Sequence, residues 1–390
     1  MSKAEIIKKK DKEYIVNTYN RFDVALEKGD GAICYDFDGK EYIDFTSGIG
    51  VNCLGFSDPG WINAVAGQLN KIQHTSNLFY TQPAVCAAEK MCEKTNMKKM
   101  FFCNSGAEAN EGAIKAARKY AQNNYDKTRH EIITLRDSFH GRTMAAITAS
   151  GQDSFHENFN PLLDGFKYAD ANDLDNFKKL ISDKTCAVMI ELIQGEGGVN
   201  VLDVDFVKGI SNICEENDIL LIIDEVQTGI GRTGKFMAYQ HYGINPDIVT
   251  VAKGLGGGLP IGGVVFGEKA CDVLVPGDHG STFGGNPTAC AGANYILDKM
   301  DDAFLQQVKE NGDYLKEKLL SIEEIESVSG MGFMIGISLK SGEPGPVVKK
   351  CIENGLLLLT AKNKLRLLPP LILTKEQIDK GVEILQFAVK

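Results

Sequence analysis

Several short apolar segments in the middle of the sequence are each followed by residues that can bind or transform a ligand. After residues 100–103 comes a segment in which Ser105 and Glu108 have the spacing of a helix-capping box, so the exposed N–H groups of a helix start there can bind an anion. The later segments are followed by an aromatic residue with an arginine, by carboxylates, and by a lysine: Phe139 and Arg142, Glu191 with residues 194–198, Asp224 with Gln227, and Lys253.

The apolar segments themselves predict the architecture that positions these residues. Continuous apolar runs that alternate with helical stretches, such as 107–121 and 206–216, are typical of strands buried on both faces of a mostly parallel α/β sheet. The carboxyl ends of such strands face one crevice, where ligands bind. The strands are predicted at 100–103, 132–135, 187–190, 219–223 and 248–251.

The residues that converge on this crevice match the needs of pyridoxal phosphate. A helix start can hold the phosphate, an aromatic side chain can stack on the ring, and a carboxylate can keep the pyridine nitrogen protonated. A lysine can form an imine with the aldehyde of the cofactor. The sequence therefore predicts a pyridoxal 5'-phosphate site.

Composition excludes several other classes of protein. A formal net charge of -10 argues against nucleic acid or an anionic membrane as partners. None of the ten cysteines forms a C-x-x-C pair, which predicts free thiols in a reducing compartment and no metal site. No signal peptide and no run long enough for a membrane span is expected, so the predicted location is the cytoplasm.

The domain organisation is predicted from a change of character along the chain. Residues 56–290 are expected to form the large domain and residues 291–390 a smaller α+β domain, which residues 1–55 join. Within the small domain we expect a long amphipathic helical stretch at 291–320, strands within 330–339 and a final helix at 375–389.

A glycine-rich segment at residues 229–234 offers a different hypothesis. It matches the dinucleotide fingerprint G-x-G-x-x-G and, with Lys235, most of a Walker A loop. However, it lies five residues beyond the predicted strand, and Phe236 stands where a Walker A loop needs a hydroxyl. We expect a structural turn, and a non-catalytic nucleotide-binding module is the alternative.

Two of these segments, residues 224–234 and 252–258, resemble the signature of class III aminotransferases, and the resemblance extends from about residue 19 to residue 371. Within the family, residues 24–29, 48–52 and 76–80 resemble bacterial acetylornithine aminotransferases. The resemblance implies the fold type I architecture of pyridoxal-phosphate transferases, with a mostly parallel seven-stranded sheet. It also implies a homodimer whose active site lies at the subunit interface.

The resemblance assigns roles around the cofactor. It implies that Lys253 bonds to the cofactor and later moves the proton between the imine carbons, that Asp224 pairs with the pyridine nitrogen, and that Gln227 reaches the phenolic oxygen. Phe139 stacks on the ring, and Thr282 reaches the phosphate of the other subunit. The remaining residues expected to bind the cofactor are Ser105, Gly106, Ala107, Glu225 and Val226.

It also implies a substrate pair, N-acetylornithine as donor and 2-oxoglutarate as acceptor, and thus a step of arginine biosynthesis. Arg142 would bind the carboxylate far from the cofactor, with Ser281 nearby, and Arg366 would bind the α-carboxylate of glutamate. Glu196 would pair with Arg366 when the terminal-amine substrate is bound. The alternatives are ornithine, 4-aminobutyrate or succinyldiaminopimelate aminotransferase, and glutamate-1-semialdehyde aminomutase.

Three positions depart from related patterns. Leu192 stands where the family has proline after Glu191, and Phe56 stands where histidine is common. Ile49 stands where ornithine aminotransferases have a tyrosine near the free α-ammonium group of the substrate. The last difference predicts a preference for the acetylated donor.

Overall fold

A computed structural model describes residues 1–390, which form fourteen α-helices, one 3-10 turn at Lys253–Leu255 and seventeen strands in four sheets. The helices are α1 Lys3–Tyr14, α2 Ser47–Gly50, α3 Pro59–Leu69, α4 Gln82–Thr95, α5 Gly106–Asn124, α6 Met144–Ala149, α7 Asp153–His156, α8 Leu174–Leu180, α9 Val204–Glu216, α10 Tyr239–Tyr242, α11 Pro287–Lys299, α12 Asp302–Leu320, α13 Pro344–Glu353 and α14 Lys375–Val389. The strands are β1 Leu26–Asp30, β2 Ile33–Asp36, β3 Glu41–Asp44, β4 Lys99–Cys103, β5 Glu131–Leu135, β6 Phe166–Ala169, β7 Thr185–Ile190, β8 Ile193–Gln194, β9 Asn200–Val201, β10 Leu220–Asp224, β11 Ile248–Val251, β12 Gly262–Phe266, β13 Ile325–Met331, β14 Met334–Leu339, β15 Leu356–Leu357, β16 Leu359–Ala361 and β17 Lys364–Leu367.

A seven-stranded sheet in the order β4-β12-β11-β10-β7-β5-β6 forms the centre of the molecule. The only antiparallel member is β12, which runs against both β11 and β4. Strands β7, β10 and β11 are buried at every position, because helices cover both faces of the sheet. All five strands predicted from the sequence lie in this sheet, so the mostly parallel α/β fold is confirmed.

Two four-stranded sheets lie outside the central one. The first has the order β13-β14-β17-β16. The second has the order β1-β2-β3-β15, in which β3 pairs with β15 from the C-terminal part of the chain. The N-terminal segment thus shares a sheet with a strand from the C-terminal part of the chain.

The C-terminal helical stretch differs from the expectation in one respect. Residues 291–320 are not one element, because α11 ends at Lys299 and Asp301 caps a new helix by accepting a hydrogen bond from the Phe304 N–H at 2.8 Å. The expected domain boundary at residue 290 falls inside α11, which packs against α3 and α4. We therefore place the start of the small domain after α11.

All ten cysteines are free, and seven of them are buried. Their thiols lie in the apolar core, where burial raises the pKa of Cys53 and Cys290 to about 12. No helix combines the length and the hydropathy that a membrane crossing requires.

Candidate active site

A cavity of about 440 Å³ opens at the carboxyl ends of the central strands. Its lining comes from the segments that follow β4, β5, β7, β10 and β11, as the topology predicts. The structure brings together these residues that the sequence singled out: Ser105, Gly106, Ala107, Phe139, Arg142, Glu191, Asp224, Val226, Gln227 and Lys253.

The start of α5 forms one end of the cavity, which Ser105, Gly106 and Ala107 line. Ser105 is the N-cap, and its hydroxyl accepts a hydrogen bond from the Glu108 N–H at 3.2 Å. The Glu108 carboxylate accepts from the N–H of Asn104 at 2.7 Å, one residue before the partner that a capping box uses. Residue 106, which follows the N-cap, must be glycine, because a Cβ at this position would lie 2.6 Å from Val226 Cγ1. A helix start at a cavity wall can bind an anion such as a phosphate through its first free N–H groups.

Asp224 forms the floor of the cavity at the end of β10, and its side chain is 4% exposed. Its Oδ2 accepts hydrogen bonds from Asn110 Nδ2 and His140 Nδ1, both at 2.8 Å. Its Oδ1 accepts one from the Val226 N–H at 3.0 Å. A carboxylate oxygen can accept two hydrogen bonds, so Oδ1 retains capacity for one further donor.

His140 is fully buried beside Asp224. Burial by itself lowers the pKa of this imidazole, but the hydrogen bond and charge of Asp224 outweigh burial and raise the pKa above its ordinary value. Its Nε2 has no hydrogen-bond partner in the protein. The hydrogen bond thus holds the imidazole ring against the Asp224 carboxylate.

Lys253 begins the 3-10 turn directly after β11 and has a φ of 43°. Burial lowers the pKa of its amine, and the nearby charges of Glu196 and Asp224 offset part of that effect. A lowered pKa increases the fraction of neutral amine, which is the nucleophilic form.

Phe139 and Gln227 lie on the walls of the cavity. The N–H of Phe139 donates to Glu191 Oε2 at 2.8 Å, which fixes the backbone that carries the aromatic ring. Burial raises the pKa of Glu191 to about 7. The Oε1 atom of Gln227 is buried without a partner. The Gln227 atom that can donate a hydrogen bond to a ligand in the cavity is therefore Nε2.

Arg366 and Glu196 form an ion pair, in which Arg366 Nη1 donates to Glu196 Oε1 at 2.6 Å. The Arg366 side chain is only 4% exposed, whereas that of Glu196 is 28% exposed. Arg366 Nε has no partner. Both charges act on the pKa of Lys253, so the pair lies near the reacting amine.

Arg142 is an exposed arginine at the cavity, and no carboxylate of the chain pairs with it. Its guanidinium carbon lies 4.1 Å from the centre of the Phe155 ring and 5.6 Å from that of Phe139. The guanidinium is thus held by aromatic faces, with its hydrogen-bond donors available for an anion.

Five of the expected residues do not line this cavity: Glu196 and Arg366, which form the ion pair described above, and Glu225, Ser281 and Thr282. The Glu225 carboxylate turns away from it and accepts hydrogen bonds from the Thr228 hydroxyl and from the Tyr239 N–H. Burial raises the pKa of Glu225 to about 7. Ser281 and Thr282 line a separate depression at the surface of the chain.

The glycine-rich segment 229–234 is a turn between β10 and α10 and does not begin a helix. Gly231 and Gly234 have φ values of 85° and 83°, and side chains there would clash with Met300 and Lys309. Arg232 is buried and donates to the carbonyl oxygens of Phe333 and Pro369. The segment therefore binds the central sheet to the C-terminal part of the chain.

Sequence reasoning assigned no role to Asn110 and His140, the two side chains that donate to Asp224. His140 lies inside the segment already singled out at 139–142. Asn110 is a polar residue in the alanine-rich, buried face of α5, one turn beyond the helix start. A buried amide in such a face indicates a specific partner, and this signal was available in the sequence.

The donor set fits pyridoxal phosphate. A helix start lies at one end of the cavity, the free capacity of Asp224 Oδ1 suits a protonated ring nitrogen, and the Gln227 amide, which can donate from Nε2, suits a phenolic oxygen. Lys253 supplies the amine for an imine, and Phe139 a face for the ring.

Comparison with known proteins agrees with this chemistry. Residues 14–389 match the family model for class III aminotransferases. The acetylornithine aminotransferase of Haemophilus ducreyi is 51% identical over 384 residues, which is 98% of each chain. Among solved structures, the ornithine aminotransferase of Toxoplasma gondii has a TM-score of 0.94 at 31% identity and covers 100% of this chain and 95% of its own. The N-acetylornithine aminotransferase of Stenotrophomonas maltophilia has a TM-score of 0.84 at 35% identity and covers 97% of each. The chain is therefore a member of the class III family of pyridoxal-phosphate-dependent aminotransferases.

Proposed function

We propose that this chain transfers the terminal amino group of N-acetylornithine to 2-oxoglutarate, which gives N-acetylglutamate semialdehyde and glutamate in a ping-pong reaction. The observation that carries the proposal is the Arg366–Glu196 pair beside Lys253. In this pair Glu196 is a partner that can move away from the buried Arg366. An enzyme needs such a partner when it accepts two amino donors of different charge. The acetylornithine aminotransferase relative, at 51% identity, supports the choice of donor.

Pyridoxal phosphate, when bound, supplies a carbonyl for the amino group and an electron sink for the electrons of the broken C–H bond. The α5 start would hold its phosphate, and Asp224 would hold the proton on its ring nitrogen. Asn110 and His140 fix the position of the Asp224 carboxylate through their hydrogen bonds. Lys253 would carry the proton between the two carbons, because its pKa is lowered by burial.

The two carboxylates of 2-oxoglutarate require two cations. Arg142 would bind the carboxylate far from the reacting carbon, and Arg366 the one next to it, after Glu196 has moved aside. N-acetylornithine has only the distal carboxylate, so Arg366 would then face its aliphatic chain. Under those conditions Glu196 keeps the guanidinium neutralised at the 2.6 Å contact of the structure. An unpaired buried charge would cost several kcal/mol, about 3–5 in comparable sites.

The proposal includes a homodimer with a shared active site. Leu78, Phe79 and Tyr80 are highly exposed, and Phe283 is exposed next to Thr282. A cluster of large exposed apolar side chains favours a protein interface. In the dimer Thr282 would reach the phosphate in the partner subunit, which explains why it lies outside the cavity of its own chain. We also place the enzyme in the cytoplasm, where its ten free thiols would stay reduced.

An amino-donor panel tests the choice of substrate. N-acetylornithine, ornithine, 4-aminobutyrate and succinyldiaminopimelate are compared with 2-oxoglutarate as acceptor, and glutamate formation is measured. Ornithine is the second candidate, because an ornithine aminotransferase superimposes with a TM-score of 0.94. The highest kcat/KM for N-acetylornithine is expected. A higher value for any other donor would overturn the proposal, and turnover of glutamate-1-semialdehyde without 2-oxoglutarate would indicate an aminomutase.

A further inference from the structure

Phe155 contacts two residues of the site that have different expected roles, Phe139 and Arg142. Its ring makes an edge-on contact with the Phe139 ring, at a centroid distance of 5.5 Å and an interplanar angle of 72°. Its face lies 4.1 Å from the guanidinium carbon of Arg142. Phe155 is thus packed between the ring expected to cover the cofactor and the arginine expected to bind the distal carboxylate.

The short helix α7 that carries Phe155 is anchored independently of these contacts. Gln152, its N-cap, donates to the Ser138 carbonyl at 3.0 Å, just before Phe139. On the other side, a ring nitrogen of His156 lies 2.9 Å from the Ile147 carbonyl oxygen in α6. These contacts hold the backbone of α7 against both segments, so the Phe155 ring has a defined position from which to act.

Arg142 needs such support more than the other cation of the site. Arg366 is buried and paired with Glu196, whereas Arg142 is exposed and has no acidic partner in the chain. A long exposed side chain loses conformational entropy when it binds an anion, and prior ordering reduces that cost. An aromatic face orders a guanidinium without using its hydrogen-bond donors.

We propose that Phe155 is a positioning residue that determines the affinity and selectivity of the site for substrates with a distal carboxylate, by holding the Arg142 guanidinium in its binding orientation. This inference rests on the proposed function, since Arg142 is the carboxylate-binding residue there. It predicts a role in binding and not in the chemical step, because Phe155 does not line the cavity.

The test compares the holoenzyme with Phe155→Leu, which keeps apolar bulk but lacks the aromatic face. KM for N-acetylornithine and for 2-oxoglutarate should each rise about three- to tenfold, the range of a cation–π contact. The value of kcat should stay within about twofold, since binding in the ground and transition states is lost equally. N-acetylputrescine differs from the donor only by lacking the carboxylate, and its kcat/KM should not change.

Two further variants control for structure. Phe155→Tyr keeps the ring and should restore the parent KM values. Phe159→Leu removes an exposed phenylalanine from the same segment, one without ring or guanidinium contacts, and should behave as the parent. Thermal unfolding and the retention of pyridoxal phosphate on dialysis are measured for each variant.

Different failures have different meanings. A parent enzyme that does not use N-acetylornithine would overturn the proposed function, and the KM for 2-oxoglutarate would still test Phe155. An active parent with unchanged KM values in Phe155→Leu would overturn the inference. An equal loss with N-acetylornithine and N-acetylputrescine would overturn it too, because Phe155 would then act through Phe139 and the cofactor.

Discussion

The floor of the cavity, which we define as Asp224, Asn110 and His140, and the outer pair, Arg366 with Glu196, each contain a carboxylate, but the two carboxylates are fixed to very different degrees. Asp224 accepts three hydrogen bonds from donors on α5, the segment after β5 and the backbone after β10. The outer pair has one hydrogen bond between its partners, and Arg366 Nε has none.

The difference corresponds to what each arrangement has to do. A charge that stabilises the same group throughout a reaction is most effective when its dipoles are oriented beforehand and do not reorganise. A charge that must be covered for one substrate and free for the next has to exchange its partner. The partial exposure of Glu196, 28%, gives its carboxylate a route to solvent. The floor therefore keeps the Asp224 carboxylate in one place, whereas the outer pair allows Arg366 to exchange Glu196 for a substrate carboxylate.

The largest expected effect comes from replacing Lys253, whose amine lies near the charges of both arrangements. Lys253→Ala should abolish the covalent attachment of pyridoxal phosphate and stop turnover, because no other lysine lines the cavity. The visible absorbance of the bound cofactor and a glutamate-formation assay check this, with thermal unfolding as a control for the fold. Transamination above background in the variant would remove Lys253 from the mechanism.

Breaking the floor should have the next largest effect. Asp224→Asn keeps the shape of the side chain but removes the charge that holds the pyridine proton and leaves His140 without its anionic partner. Loss of one member of a buried pair costs about 3–5 kcal/mol, and a decade of rate is about 1.4 kcal/mol, so kcat should fall about a hundredfold or more. Cofactor binding should persist, as dialysis and absorbance can show.

The neighbouring carboxylate provides a matched control. Glu225 is equally buried, but its side chain points away from the cavity toward Thr228 and Tyr239. Because its pKa is raised to about 7, much of it is protonated near neutral pH, and glutamine is a close substitute. Glu225→Gln should therefore keep kcat within about threefold. Similar losses in the two variants would mean that the special role of Asp224 is misassigned.

Substitutions in the outer pair should each slow mainly one of the two half-reactions. Arg366→Ala should slow the single-turnover reaction with glutamate or 2-oxoglutarate by about a hundredfold, and the N-acetylornithine half far less, since a carboxylate partner is lost only in the former. Glu196→Ala should show the opposite bias, because Arg366 is then unpaired when the donor is bound. Equal losses in both halves would contradict the exchange of partners.

The sequence predicted the residues at the strand ends better than the side chains that support them, since Asn110 and His140 were given no role. Strand-end positions identify Asp224, Lys253 and Phe139, because a parallel sheet brings the carboxyl ends of its strands to one edge. The capping pattern at Ser105 likewise locates the helix start. These features depend on local sequence and on topology, both of which leave a pattern along the chain.

Other features depend on side-chain direction, which leaves no such pattern. Glu225 follows Asp224 directly, yet the two carboxylates point to opposite sides, and only the fold shows which one faces the cavity. The contact of Phe155 with Arg142 joins two segments whose relative placement follows from the packing of α7 on α6. The sequence also does not predict the break between α11, which ends at Lys299, and α12, which begins at Asp302.

The smallest expected effect is on the preference between amino donors. It depends on Ile49, which belongs to neither the floor nor the outer pair. This residue has a φ of 65° and is 39% exposed, between two glycines that also have positive φ. The left-handed region is unfavourable for a β-branched residue, and such strain is concentrated at functional sites. The segment packs against the Lys253 turn, although Val51 and not Ile49 lines the cavity of the single chain.

An isoleucine offers no acceptor to the α-ammonium group of free ornithine, whose burial without a partner would cost several kcal/mol. The acetylated nitrogen carries no charge and tolerates the same apolar contact. The parent enzyme should therefore prefer N-acetylornithine over ornithine by about tenfold or more in kcat/KM, which is about 1.4 kcal/mol. Ile49→Tyr, which adds a hydroxyl without the β-branch, should narrow that ratio by improving ornithine. If ornithine is used equally well by the parent, the donor assignment is wrong, whereas the chemistry at Lys253 and Asp224 is unaffected by that result.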